Sequence, residues 1–190
     1  VPERQRFARM ATPLEDGSYR LDLSADSANA GIFMFDALPA NHPAVAADLG
    51  AIRDRLWVKS SIGGCARYER DYYHQVERDD LEKVPGNPWV ISTLWQAQHQ
   101  IARATDLKEL EKALKYLEWT RERAAPSGVL AEQYHPYTGE SVSVSPLTWS
   151  HATVMITVME YLLKHAVLTG KRSGVVAELA SPGVEDYPRR

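Results

Sequence analysis

The residues best suited to chemistry lie between Leu130 and Ser150, in the run LAEQYHPYTGESVSVSPLTWS. It holds a carboxylate (Glu132), an amide (Gln133) and two phenols (Tyr134 and Tyr137), with a turn signal at Thr138-Gly139. A glutamate by itself is an ordinary surface residue. Aromatic rings and an amide around one acid suit a polyhydroxylated ligand: ring faces for its C–H surface, donors and acceptors for its hydroxyls. Upstream, Arg67 and Asp71 stand four residues apart. That spacing also makes a routine ion pair on a helix, so a structural role stands beside a ligand-binding one. Trp89 and Trp149 are likewise either packing residues or aromatic platforms.

Other reactive groups carry less. His99, His151 and His165 fall on expected helices, without the spacing of metal ligands. The acidic run Glu77, Asp79, Asp80 and Glu82 lacks the regular ligand positions and glycine of a calcium loop. Gly63-Gly64 is not followed by the Lys-Ser/Thr of a phosphate cradle. One cysteine, Cys65, excludes an internal disulfide and a cysteine-rich zinc site, and reads as an inert thiol. Neither metal nor cofactor is expected.

The 190 residues, 44% hydrophobic and 25% charged, suit one globular domain. A net charge of −3 without a basic stripe argues against a nucleic-acid partner. The longest apolar stretch, about residues 154–168, is broken by Glu160, Lys164 and His165, and no run reaches the roughly 18 residues of a membrane span. No membrane partner is expected. The first ten residues lack the apolar core of a signal peptide, and the lone thiol is compatible with a reducing, cytoplasmic compartment. They also lack an initiator Met, and we expect a chain cut from something longer.

Periodicity predicts a mostly helical fold. Residues 1–23 look irregular, with a turn at Asp16-Gly17. A first helix, about Ala25 to Leu38, is capped by Ser24 and apolar all round. A second, about Pro43 to Trp57, sets Val45, Leu49, Ile52 and Leu56 opposite a wet face of Asp48, Arg53 and Asp54. About thirty residues follow without helical period, from Val58 to Gly86, and loops of that length are usually functional or disordered. Asn87-Pro88 starts a third helix, to about Ala104. Asp106, with Glu109 as capping-box partner, starts a fourth. The fifth runs from about Pro146 to Thr169, with Gly170 as its C-cap. It is apolar on most sides and therefore expected to be buried. The tail to Arg190 is expected to be irregular or docked on the surface. No β-alternation is sustained beyond a brief one at Val142 and Val144. Helices one and five, apolar all round, alternate with the one-sided two and four, as inner and outer helices of a layered α/α arrangement do. Helix three, with Gln96, Gln98, His99 and Gln100, suits the inner role less well. Both long loops feed odd-numbered helices, so a cleft is expected where Arg67, Asp71, Trp89, Glu132 and Trp149 converge.

Three stretches carry a resemblance to a known family. They are ARYERDYYH (Ala66 to His74), PGNPWVISTLW (Pro85 to Trp95) and LAEQYHPYTG…SPLTWSHA (Leu130 to Ala152). Their order and spacing resemble the C-terminal part of the catalytic domain of glycoside hydrolase family 15: glucoamylases, glucodextranases and one branch of trehalases. The resemblance implies an all-α fold, the C-terminal portion of an (α/α)6 barrel. It implies an inverting mechanism, in which one carboxylic acid protonates the glycosidic oxygen and a carboxylate roughly 6.5–9.5 Å away activates water. Glu132 falls at the general-base position. Arg67 matches a sugar-binding arginine whose fork can grip two neighbouring hydroxyls. Asp71 then orients Arg67 or binds sugar itself. Trp89 and Trp149 become walls of a glucose pocket, with Gln133 and Tyr134 as further substrate contacts. Tyr134 or Tyr137 is placed to help hold the water.

The resemblance also shows what is missing. The family's general acid belongs to a Trp-Glu-Glu-like stretch, and no such stretch occurs between Val1 and Arg190. The family's upstream sugar-binding Arg-Asp pair is missing as well, and five helices are too few for a closed barrel of twelve. The expected partners are an α-glucoside or oligosaccharide and the N-terminal half of the catalytic domain. Without that half, inner helices would expose apolar surface, and the chain is expected to lack both activity and a stable fold. The other reading is a non-catalytic glucoamylase-like module that binds sugar or a partner, which fold alone does not separate from an enzyme.

Overall fold

The computed structural model describes residues 6–170. The first five residues of the irregular lead-in and the tail from residue 171 lie outside that range. The chain is mostly helical, with two small sheets that the all-α expectation lacked.

Part of the lead-in is not irregular. β1 (Met10–Pro13) and β2 (Tyr19–Asp22) form an antiparallel hairpin in which Met10 faces Asp22. The Asp16-Gly17 turn closes it, Asp16 Oδ1 accepting from the Ser18 amide at 2.9 Å and from its hydroxyl at 2.6 Å. The hairpin buries neither face, so no apolar alternation betrays it.

The first expected helix is much shorter. A 3-10 turn, Ser27–Ala30, capped by Asp26 rather than Ser24, leads into α1 (Gly31–Met34). Asp36, in the left-handed region at φ 58°, ends it. α2 (Pro43–Leu56) matches the expected bounds and buries Val45, Leu49, Ile52 and Leu56. Asp48 is on the buried side, not the wet one. It accepts from Asn29 Nδ2 at 2.9 Å and from the Phe7 amide at 3.3 Å, and burial still pushes its carboxyl pKa up.

α3 (Val90–Arg103) is the centre of the molecule: ten of its residues are buried, Gln96, Gln98 and His99 among them. It is therefore buried, despite the polar composition that had argued against an inner place. Asn87 does not cap it; the N-cap is Trp89, and the Asn87 side chain is engaged elsewhere. The fourth expected helix breaks into α4 (Leu107–Glu111) and α5 (Leu114–Arg123). Asp106 Oδ1 accepts from the Glu109 amide at 2.8 Å, as a capping residue does, but the Glu109 carboxylate reaches back to Thr105 rather than Asp106. α6 (Thr148–Thr169) ends at Gly170, in the left-handed conformation at φ 66°.

α6 overturns the expectation of burial. Its buried residues are Ser150, Thr153, Thr157 and Ala166, while Met155, Ile156, Met159, Leu163 and Val167 are exposed. By length and mean hydropathy, 1.2, it is also long and apolar enough to cross a membrane. Treating Glu160, Lys164 and His165 as breaks had hidden this in the sequence.

The loops are joined by four two-residue strands in one antiparallel ladder: β3 (Cys65–Ala66), β4 (Pro88–Trp89), β5 (Gln133–Tyr134) and β6 (Ser141–Val142). Cys65 faces Trp89, Trp89 faces Gln133, and Gln133 faces Val142. The long segment from Val58 to Gly86 is thereby pinned to the start of α3 and to the Glu132 run. Burial pushes the Cys65 thiol up to about 12, as expected of an inert group.

Gly64, before β3, has φ 87°, and a Cβ there would stand 2.5 Å from the Trp119 ring and 2.7 Å from Pro88. We expect Gly64→Ala to cost about 2–4 kcal/mol, from steric overlap and left-handed strain together. Denaturant midpoints of the two proteins check this.

Candidate functional site

Arg67 leaves β3 directly into the site. Its Nε and one terminal nitrogen each donate to Asp71, both at 2.8 Å, a two-point bond. The Asp71 side chain is only 2% exposed. Burial opposes the Arg67 charge, but the bonds and charge of Asp71 outweigh it and hold the guanidinium pKa up. The guanidinium also lies 4.4 Å from the Trp89 ring centre, 4.8 Å from that of Tyr68 and 5.5 Å from that of Tyr73. Trp89 is thus a buried backing beneath Arg67.

Glu132 precedes β5 and is half-buried. Continuing the β5–β6 register by one residue sets Ser143 across from it. Ser143 Oγ donates to Glu132 Oε2 at 2.6 Å, and Gln133 Nε2 approaches the same oxygen at 3.3 Å. Glu132 Oε1 has no hydrogen-bond partner among the described residues, so it keeps its full acceptor capacity. Tyr73 Oη is 3.4 Å from Ser143 Oγ. Since the serine proton serves Glu132, Tyr73 is the donor in that contact. Tyr73 also tilts against Trp89, with centroids 6.1 Å apart, so one chain of contacts runs from Arg67 through Trp89, Tyr73 and Ser143 to Glu132.

Gln133 is fully buried and does not face a cleft. Its Oε1 accepts from Asn87 Nδ2 at 2.8 Å, and Asn87 also bonds the His74 carbonyl at 2.7 Å. This amide pair ties the long loop to the segment that carries the acid. Tyr134 is 1% exposed, its hydroxyl accepting from the Ala131 amide at 3.1 Å and its ring edge-on to Trp119. Tyr134 was expected to meet substrate or water; its ring is instead packed in the core, with its hydroxyl taken by the Ala131 amide. Tyr137 is bonded to Glu77 on the neighbouring loop instead. Trp149 stands apart from the cluster, 53% exposed, and meets Trp95 with ring centres 6.0 Å apart. Ser143 and Tyr73 were not singled out in the sequence. The signal available for Ser143 was cross-strand register, which needs the turn between β5 and β6 to be located first.

His99 is buried against the Ala40 carbonyl at 3.0 Å, which with its burial leaves it a packing residue. No group of three or more metal-ligating side chains comes together among the described residues.

The model for glycosyl hydrolases family 15 matches residues 18–159. The chain belongs to that family. All three motif stretches lie within the matched range. This family-15 chain is 28% identical over 170 residues to an uncharacterized glycosyl hydrolase of Methanocaldococcus jannaschii, taking in 84% of this chain and 24% of that protein. Its fold resembles a bacterial glucoamylase complexed with acarbose, with a TM-score of 0.65, 19% identity, and coverage of 93% of this chain and 27% of that one. It also resembles a glucoamylase of Hormoconis resinae, with a TM-score of 0.52, 16% identity, and coverage of 72% and 32%. The likeness to these two structures concerns the fold. The chain spans about a quarter of the length of the first two relatives.

Proposed function

We propose that this chain supplies the water-activating part of an inverting glycoside hydrolase that releases glucose from α-glucosides. The observation that carries the reading is the setting of Glu132: one oxygen held by Ser143 and Gln133, the other free to accept, in the segment that resembles the family's base segment. A carboxylate so fixed can take a proton from a water placed against its open oxygen. Arg67, aimed by Asp71 and backed by Trp89, offers the remaining guanidinium donors to sugar hydroxyls. Gln133 acts as a positioning group behind Glu132. Trp149, exposed beside Trp95, serves as an outer wall of the pocket.

In this reading the fold is the C-terminal portion of an (α/α)6 barrel, and α6 is an inner helix. Its exposed large apolar residues are then the face on which the rest of the catalytic domain packs. The carboxylic acid that protonates the leaving sugar belongs to that other part. The 190-residue chain alone is therefore expected to release no glucose from maltose, dextran or trehalose. A glucose assay on the purified chain checks this, and robust turnover would refute it.

A further inference from the structure

The face of α6 left uncovered is not uniformly apolar. A hollow of about 570 Å³ lies among α1, α3 and α6, lined by Phe33, Met34, Phe35, Ile156, Leu163 and Val167 together with a few polar groups. One of these is Gln98 of α3, itself 2% exposed. Its Nε2 donates to Thr157 Oγ1 at 3.1 Å. Thr157 has one hydroxyl proton, and that proton is committed to the Thr153 carbonyl at 2.7 Å. Thr157 must therefore accept from Gln98, which fixes the orientation of the amide. The orphan atom is then an acceptor: Gln98 Oε1, buried and without a hydrogen-bond partner.

Glu160 lines the same hollow and has no ion-pair or hydrogen-bond partner among the described residues. Burial alone pushes its carboxyl up to about 7. Asp36 is a second carboxylate on the lining. The cation on the lining, Lys164, donates to the Ala102 carbonyl at 3.0 Å. The hollow thus gathers two carboxylates inside an apolar rim, with the buried orphan oxygen of Gln98 behind its lining.

We infer that this hollow receives a cationic side chain, arginine by preference, projecting from an apolar helical surface of the remainder of the family-15 catalytic domain. The inference rests on the reading above that this remainder covers α6. A guanidinium has donors enough to meet both carboxylates together. A purely apolar cover would seal the Glu160 carboxylate away from water without a partner. Lipid hydrocarbon offers no donor at all. A second copy docked through the same face would bring further carboxylates against Glu160 and Asp36.

The test compares Glu160→Leu and Glu160→Gln in the complete catalytic domain that includes these residues. In the complete domain Glu160→Leu is expected to lower the unfolding midpoint by several degrees, and Glu160→Gln, which keeps the volume and an acceptor, by less. Hydrogen exchange along α6 separates the two layers of the argument. If α6 is protected in the complete domain and Glu160→Leu leaves the midpoint unchanged or raises it, the cover is right and the cation is refuted. If α6 exchanges freely in the complete domain, both are refuted. Insertion of the chain into phosphatidylcholine vesicles, or a dimer that protects α6, would overturn the inference by showing that a donor-free or self-paired occupant suffices.

Discussion

Glu132→Gln in the complete catalytic domain should lower kcat on maltose by about 10²–10⁴-fold, the range typical of lost general-base catalysis, with KM nearly unchanged. The amide is almost isosteric, and its oxygen can still accept from Ser143 as Glu132 Oε2 does at 2.6 Å. The held geometry should therefore survive, and an unchanged unfolding midpoint would confirm that. What the amide lacks is basicity toward a water at the other oxygen. KM should hold because Glu132, in this account, faces the water rather than the sugar. A fall of less than tenfold would remove Glu132 from the base role.

Arg67→Ala should act on stability and activity together. Asp71 is 2% exposed and takes its two-point bond from Arg67, so truncation leaves a buried carboxylate paired, among the described residues, only with the Tyr73 amide. We expect a loss of about 3 kcal/mol in unfolding free energy, toward the low end for breaking a buried pair because Arg67 is partly exposed. We also expect kcat/KM in the complete domain to fall by about 10²-fold, as charge-assisted bonds to sugar hydroxyls are lost. Arg67→Lys separates the two effects. An ammonium restores charge against Asp71 but not the fork, so stability should largely return while kcat/KM stays low. If Arg67→Ala lowers stability and leaves kcat/KM within threefold, the pair is structural only.

What could be read from the sequence were features that depend on neighbours along the chain. The Asp106 cap, the Gly170 terminus and the stripe Val45, Leu49, Ile52 and Leu56 all came from local spacing, and each is present. The four-stranded ladder left no such trace, because two residues per strand are too few to show a period of two. Asp48 read as wet because its partners, Asn29 and the Phe7 amide, lie 19 and 41 residues away. Tyr134 read as a ligand contact because it sits beside Glu132, but proximity in sequence says nothing about which face of a strand a ring takes. α6 read as buried on composition, yet its large apolar residues are exposed, since composition records how apolar a helix is and not what packs against it. The assignment of a base to Glu132 came from the resemblance; the residues alone offered only an acid among aromatics.

The account stands on one-step displacement by a water activated at Glu132, and the configuration of the product reports this directly. Proton NMR of the first glucose released from maltose by the complete catalytic domain, read before mutarotation, should show the β-anomer from an α-linkage, with its rate of appearance collapsing in Glu132→Gln. Glucose appearing first as the α-anomer would mean a retaining, two-step reaction, and would contradict the role given to Glu132.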